Sequence, residues 1–245
     1  MLTNLKSSQL LFDEAAKLGL DPIWETDYGL FSVKLPHQSD RQFFFHSNFN
    51  LNGERSRILA RNKHFTRLIL DQHQVANIPY LLPNSREQLQ QFFDQHRPLI
   101  CKPLLGRQSK GVKLIKTQEQ LSDCFLHLTF FEKYIKADEY RCLILQNKVI
   151  AMQRKLLRPT FTNPWELHYT NLKTKDWPQE LVNEALRIAK IFDLGWAGID
   201  FLVEDNGKSW LLEMNSAPGF VKVHKPDEGE GINVAQLIWQ ELLSE

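Results

Sequence analysis

The segment from Ser209 to Phe220, SWLLEMNSAPGF, places a carboxylate and an amide two residues apart in an apolar run. Alternate side chains of a strand share a face, so Glu213 and Asn215 are expected to point one way and Trp210, Leu212 and Met214 the other. Upstream, WAGIDFLVEDNGKSWLLEMN has two apolar runs separated by Asn206-Gly207, which predicts an antiparallel hairpin. With Asn206 and Gly207 as its two loop residues, Asp205 faces Lys208, Val203 faces Trp210 and Asp200 faces Glu213. Two carboxylates so placed repel by about 4 kcal/mol at about 4 Å and an effective dielectric of about 20, so a cation is expected between them. The hard oxygen donors Asp200, Glu213 and Asn215 suit Mg2+, which is usually held by one or two carboxylates together with substrate phosphates.

Other residues suit the phosphates themselves. Gly106 to Gly111 has GxxxxG spacing, but Val112 follows where a P-loop has lysine, and the loop joins two predicted strands instead of opening a helix. Such a loop still offers backbone N–H groups and cations to phosphates, with Gly106, Ser109, Lys110 and Gly111 as its candidate contacts and Arg107 as a further cation. Lys102, in ICKPL, lies on the strand entering the loop, and Lys63 opens a helix after Asn62, so both lysines can reach one triphosphate as point charges. The extended segment Glu132, Lys133, Tyr134 and Ile135 can present backbone groups to an adenine edge, and Glu139 follows where a carboxylate accepts from ribose hydroxyls.

These residues need elements to hold them. A chain of 245 residues with a formal charge of +1 and 42% hydrophobic residues is expected to be a soluble globular protein with no general attraction to nucleic acid or membrane. Cys101, Cys124 and Cys142 fall in apolar runs without CxxC spacing, and the N-terminus lacks a signal h-region, so a cytoplasmic protein is expected. Leu10, Leu11, Ala15 and Leu18 predict a first helix closed by Gly19; GLFSVKL and RQFFFHSNF predict two strands. A helix from Asn62 is expected to bury Phe65, Leu68 and Ile69, and further helices are expected over 85–95, 119–128 and 178–193. Two strands should turn at Gln146-Asn147, residues 156–175 should form a loop that carries His168, and an amphipathic helix should end the chain. Phe43, Phe44 and Phe45 alternate faces, so both faces of their strand need cover, for which self-association or a partner protein is expected over packing within the chain.

The order of these parts resembles the ATP-grasp superfamily, and most closely its RimK-type and cyanophycin-synthetase-like carboxylate–amine ligases. The resemblance rests on a lysine opening a helix, ICKPL, the glycine loop, EKYI, an acidic residue, AGID and LLEMNSAPG, from about Asn62 to the C-terminus. It implies an α+β ATP-grasp fold in which two α+β lobes close on Mg-ATP, with a short N-terminal extension (1–61), a small lid lobe (62–135) and a C-terminal lobe carrying the metal hairpin (136–245). It also implies ATP with one or two Mg2+ ions, Mn2+ as a substitute, and an ADP-forming reaction that joins a carboxylate to an amine through an acyl phosphate on an amino acid or peptide-like substrate. By the same resemblance Lys63 and Lys102 contact phosphates, Glu132 to Ile135 hold adenine, Glu139 takes the ribose, and Asp200, Glu213 and Asn215 hold magnesium. The chain departs from the pattern at Ser109, where a glycine is common, and at Tyr169, where an FRSNL-like segment has arginine. Arg154, Lys155 or Arg158 would then supply that charge, Arg154 being the candidate paired with Lys102 in catalysis. A phosphotransferase and a non-catalytic nucleotide-binding regulator are the alternative functions.

Overall fold

The computed structural model describes residues 6–36, 38–105, 111–157 and 167–244. In chain order these form helix α1 (Lys6–Lys17), strands β1 (Ile23–Trp24), β2 (Leu30–Val33) and β3 (Gln42–Phe45), helices α2 (Glu54–Arg61) and α3 (Lys63–Gln72), strand β4 (Tyr80–Leu81) and helix α4 (Arg86–His96). Strands β5 (Leu99–Pro103) and β6 (Lys113–Ile115), helix α5 (Gln118–Ser122) and strands β7 (Thr129–Lys133), β8 (Asp138–Leu145), β9 (Lys148–Leu157) and β10 (Leu167–Asn171) follow. Helix α6 (Gln179–Ile191), strands β11 (Trp196–Val203) and β12 (Ser209–Asn215) and helices α7 (Val221–His224) and α8 (Val234–Leu243) complete the chain. No helix among the described residues is long and apolar enough to cross a membrane.

The chain divides into two compact units, one of Met1–Gly53, Tyr140–Gly198 and Asn215–Glu245, the other of Glu54–Glu139 and Ile199–Met214. In the first, β1, β2 and β3 form one antiparallel sheet, and β10, β9, β8 and the start of β11 follow one another in a second. Its core joins Leu11 and Ala15 of α1, Phe31 and Val33 of β2, Leu143 and Leu145 of β8, and Ile238 and Trp239 of α8. Aromatic rings dominate it: Phe44 lies 5.1 Å from Trp239 and Phe49 lies 5.8 Å from Trp196, centroid to centroid. Phe44 is thus covered by its own chain, whereas Phe43, on the other face of β3, is 63% exposed. Asn52 anchors the first residue of β11, its side chain accepting from the Trp196 N–H and donating to the Trp196 and Ser216 carbonyls.

In the second unit β4, β7, β5 and β6 form an antiparallel sheet in that order. Cys101 lies opposite Phe131 and Lys102 opposite Phe130, which assigns alternate residues to opposite faces. One face is apolar: Leu99, Cys101, Ile115 and Phe131 pack with Leu89 and Phe93 of α4 and Leu121 of α5. The other face carries Lys102, Phe130 and Glu132, all buried.

Several elements differ from the sequence expectation. Helix α5 stops at Ser122 instead of reaching Leu128, whose φ of +54° belongs to a turn. The segment expected as a loop over 156–175 contains β10, paired residue by residue with β9, because LHYTN alternates without an apolar signal strong enough to mark it. Helix α3 starts after Asn62, whose side chain accepts from the His64 and Phe65 N–H groups, but its buried residues are Thr66, Arg67 and Leu70. Phe65 and Leu68, expected inside, are 44% and 43% exposed. The α3 face that enters the unit carries an arginine.

Candidate functional site

The charged sheet face is organised around Glu132. Its carboxylate receives Arg67 Nε at 2.9 Å and Arg67 Nη2 at 2.7 Å on one oxygen, and Lys102 Nζ makes an ion pair with the other oxygen. Arg67 is 2% exposed, and it also donates from Nη1 to the Leu211 carbonyl at 2.7 Å and Asn77 Oδ1 at 3.3 Å, and from Nη2 to the Leu212 carbonyl at 3.0 Å. Those contacts use every N–H of the guanidinium, which is what lets it stay charged without water. Burial alone would push the Glu132 carboxyl up, yet Arg67 and Lys102 outweigh it and hold the group below the ordinary carboxylate range. Lys63, at the start of α3, shares this field. Burial and the Lys102 ammonium lower its pKa, against the opposing pull of Glu213 and Glu132.

Lys63, Lys102, Glu132 and Glu213 are therefore brought into one electrostatic neighbourhood within one unit. Arg67 was missed in the sequence because its neighbours Phe65 and Leu68 carry the helical apolar signal; the only cue was its place four residues, one turn, after Lys63. Of the extended segment Glu132 to Ile135, Glu132 and Lys133 are the last two residues of strand β7. The N–H groups of Lys133 and Tyr134 donate to the Pro79 and Pro98 carbonyls, so an adenine contact there would fall to other backbone groups. Ile135 is buried, Tyr134 is partly exposed, and Glu139 is half-buried as the second residue of β8. Gly111 has φ +78°, and a Cβ there would meet Pro103 Cγ at 3.0 Å, so the exit of the loop after β5 requires glycine. Gly106, Ser109 and Lys110, with Arg107, lie outside the described residues, as does Arg158.

The hairpin expected to hold a metal is present, with a longer loop. The Glu204 N–H donates to the Lys208 carbonyl at 2.9 Å and the Gly207 N–H to the Glu204 carbonyl at 2.8 Å, so Glu204, not Asp205, faces Lys208. Asp205, Asn206 and Gly207 form a three-residue loop with Gly207 at φ +85°, a type that ends in a left-handed residue. Asp200 is fully buried on β11, while Glu213 is exposed on β12 with Asn215 at the strand's end. Two carboxylates and an amide are the hard oxygen set that Mg2+ takes, so the donor chemistry fits that ion. Among the described residues no group of three or more His, Cys, Asp or Glu side chains is placed to hold a metal ion by itself.

In the first unit, Arg154 lies on β9 opposite Thr170, and Lys155, buried, lies opposite Tyr169. The Tyr169 N–H donates to Asp227 Oδ2 at 2.9 Å, and Lys222 Nζ sits 5.4 Å from the Tyr169 ring centroid while pairing with Asp227 Oδ1 at 2.6 Å. His168 Nε2 is 3.5 Å from Glu228 Oε2.

Residues 60–242 match the model of the RimK-like ATP-grasp domain. The chain belongs to that family. It is 27% identical over 176 residues to the D-alanine--D-alanine ligase of Vesicomyosocius okutanii subsp. Calyptogena okutanii (strain HA), covering 65% of this chain and 59% of that one. It is 32% identical over 155 residues to a probable alpha-L-glutamate ligase of Stutzerimonas stutzeri (strain A1501), covering 59% of this chain and 50% of that one. This ATP-grasp chain thus spans between half and three fifths of the length of these relatives. A bifunctional glutathione synthetase from Pasteurella multocida has the same fold over 97% of this chain and 44% of its own, with a TM-score of 0.73 at 13% identity. The ATP-grasp fold, with mixed α and β elements and antiparallel sheets, expected from the sequence is the one observed.

Proposed function

We propose that this ATP-grasp protein is an ADP-forming carboxylate–amine ligase that acts on an amino acid or peptide-like carboxylate through an acyl phosphate. The observation that carries the reading is the shared field of Lys63, Lys102 and Glu213 beside the buried Glu132, all within one unit of an ATP-grasp chain. Membership beside ligases named for D-alanine and alpha-L-glutamate supports the substrate class.

In this reading Lys63 and Lys102 face the triphosphate of ATP, the co-substrate. Lys102 exchanges its ion pair with Glu132 for a phosphate oxygen, and Arg67 remains on Glu132 so that the carboxylate is never buried without a cation. Asp200, Glu213 and Asn215 would hold Mg2+, which supplies charge neutralisation for the transferring phosphoryl group. Burial and the Lys102 ammonium lower the pKa of Lys63, while the nearby Glu213 and Glu132 favour its charged form. The acceptor carboxylate attacks the terminal phosphorus, ADP leaves, and an amine then displaces phosphate from the acyl group. Arg154, or Lys155 beside it, is assigned the cation that Tyr169 cannot supply.

Hydroxylamine trapping tests this. ADP formation that depends on Mg2+ and a carboxylate from a panel of amino acids and short peptides should be accompanied by a hydroxamate. ADP with a stable phosphate ester would instead make the protein a phosphotransferase, AMP with pyrophosphate would overturn the acyl phosphate, and nucleotide binding without turnover would make it a regulator.

A further inference from the structure

The hydrogen bonds of Arg67 reach past Glu132 to the strand that carries Glu213. In a regular strand the carbonyls of consecutive residues point to opposite edges. One guanidinium nevertheless takes the Leu211 carbonyl at 2.7 Å and the Leu212 carbonyl at 3.0 Å, so both turn toward the same side of β12. That is the mark of a β-bulge, in which two residues of one strand stand opposite a single residue of the other.

Burial along β12 points the same way. Leu211 and Met214 are both buried, and Glu213 between them is exposed. Uninterrupted alternation would send Leu211 and Met214 to opposite faces and put Glu213 with Leu211. One extra residue at Leu211 and Leu212 puts Leu211 and Met214 on one face and leaves Glu213 on the other.

The loop makes the bulge consequential. Because Glu204 faces Lys208, an uninterrupted ladder would pair Phe201 with Leu211 and Asp200 with Leu212, leaving Asp200 and Glu213 on opposite faces of the hairpin. With Leu211 and Leu212 together opposite Phe201, the next pair is Asp200 with Glu213. We propose that Arg67 is a positioning residue which, held by Glu132, stabilises a bulge at Leu211–Leu212 and thereby sets Glu213 across from Asp200. The proposal rests on the metal role given to these two carboxylates above. Lysine could not replace Arg67, since an ammonium carries three donors and no planar fork, whereas Arg67 spreads five N–H groups over Glu132 Oε1, Asn77 Oδ1 and the Leu211 and Leu212 carbonyls.

Two measurements test it. In the wild-type protein, cross-strand nuclear Overhauser contacts should join Asp200 to Glu213 and Phe201 to both Leu211 and Leu212; contacts pairing Asp200 with Leu212 would overturn the bulge. In Arg67→Lys, Mn2+ affinity measured by electron paramagnetic resonance in the presence of ADP should fall about 10–100-fold, as for other residues that orient metal ligands, while ADP affinity without metal stays unchanged. Unchanged Mn2+ affinity, or a parallel fall in both affinities, would overturn the positioning role. Wild-type protein that binds no Mn2+ with ADP would remove the metal role itself, and the Overhauser contacts would still decide the register. Should Arg67→Lys fail to fold, the wild-type contacts still test the register on which the proposal depends, and Arg67→Gln, which keeps donors for the two carbonyls without the fork, takes its place in the Mn2+ titration.

Discussion

The two faces of the sheet formed by β4, β7, β5 and β6 come from alternate residues of the same strands, yet they are built on opposite principles. Cys101 and Phe131 enter an apolar core with Leu89, Phe93 and Leu121, where burial itself is the stabilising term. Their neighbours Lys102 and Glu132 enter a set of buried ions with Arg67, where burial is a cost that only mutual pairing offsets. A hydrophobic pair in place of those ions would serve stability as well or better, so stability alone does not account for the charged face, and the nucleotide binding proposed for it does. The apolar face is the support that keeps those strands in register.

Breaking one side of that comparison should give the largest effect. Glu132→Ala leaves Arg67 and Lys102 buried without their counter-ion, and unfolding by urea should show a loss of about 3–5 kcal/mol. Phe131→Ala, one residue away on the apolar face, is expected to cost about 3–5 kcal/mol as well, through lost burial and a cavity. The two should part in their pH dependence: Phe131→Ala keeps Glu132 and should keep the wild type's acid limb, whereas Glu132→Ala should lose stability less steeply as pH falls, and equal acid limbs would refute the division into faces.

A smaller effect sharpens the same contrast. The Glu132 carboxyl is held below its ordinary range in the folded protein, so its contribution is fully present above the unfolded value of about 4.3 and disappears as pH falls through the folded value. Glu132→Gln keeps the acceptor for Arg67 but no longer titrates. Its stability should therefore fall less steeply than the wild type's as pH drops below about 4.3. Parallel acid limbs for the two proteins would mean that the carboxylate gains nothing from its cations.

Elements whose local signal and tertiary role agree were legible in the sequence. Leu181, Ala185, Ile188, Ala189 and Phe192 recur at helical spacing and are all buried on or just after α6. Gln146 and Asn147, at φ +41° and +59°, make the tight turn between β8 and β9, for which Asn147 is a favoured type. Lys63, Lys102, Glu132 and Glu213 are all candidates in the sequence and fall within one unit of the fold, but Glu132, expected to offer backbone groups to adenine, instead carries a buried carboxylate paired with Arg67 and Lys102. What stayed hidden depends on partners distant in the chain. Arg67 reads as an exposed helical residue until Glu132, Leu211 and Leu212 close around it. The extra loop residue at Asp205 is equally silent, since Asn-Gly suits both a two-residue loop and the observed three-residue one.

The claim that the charged face receives a nucleotide's phosphates is tested most directly by calorimetric titration of Mg-ADP into the wild type and Lys102→Met. Removing a buried cation that faces phosphate forfeits about 1.5–3 kcal/mol, so the variant should bind roughly 10–100-fold more weakly while Arg67 continues to neutralise Glu132 and the protein stays folded. Equal affinity of a folded Lys102→Met for Mg-ADP would contradict the account.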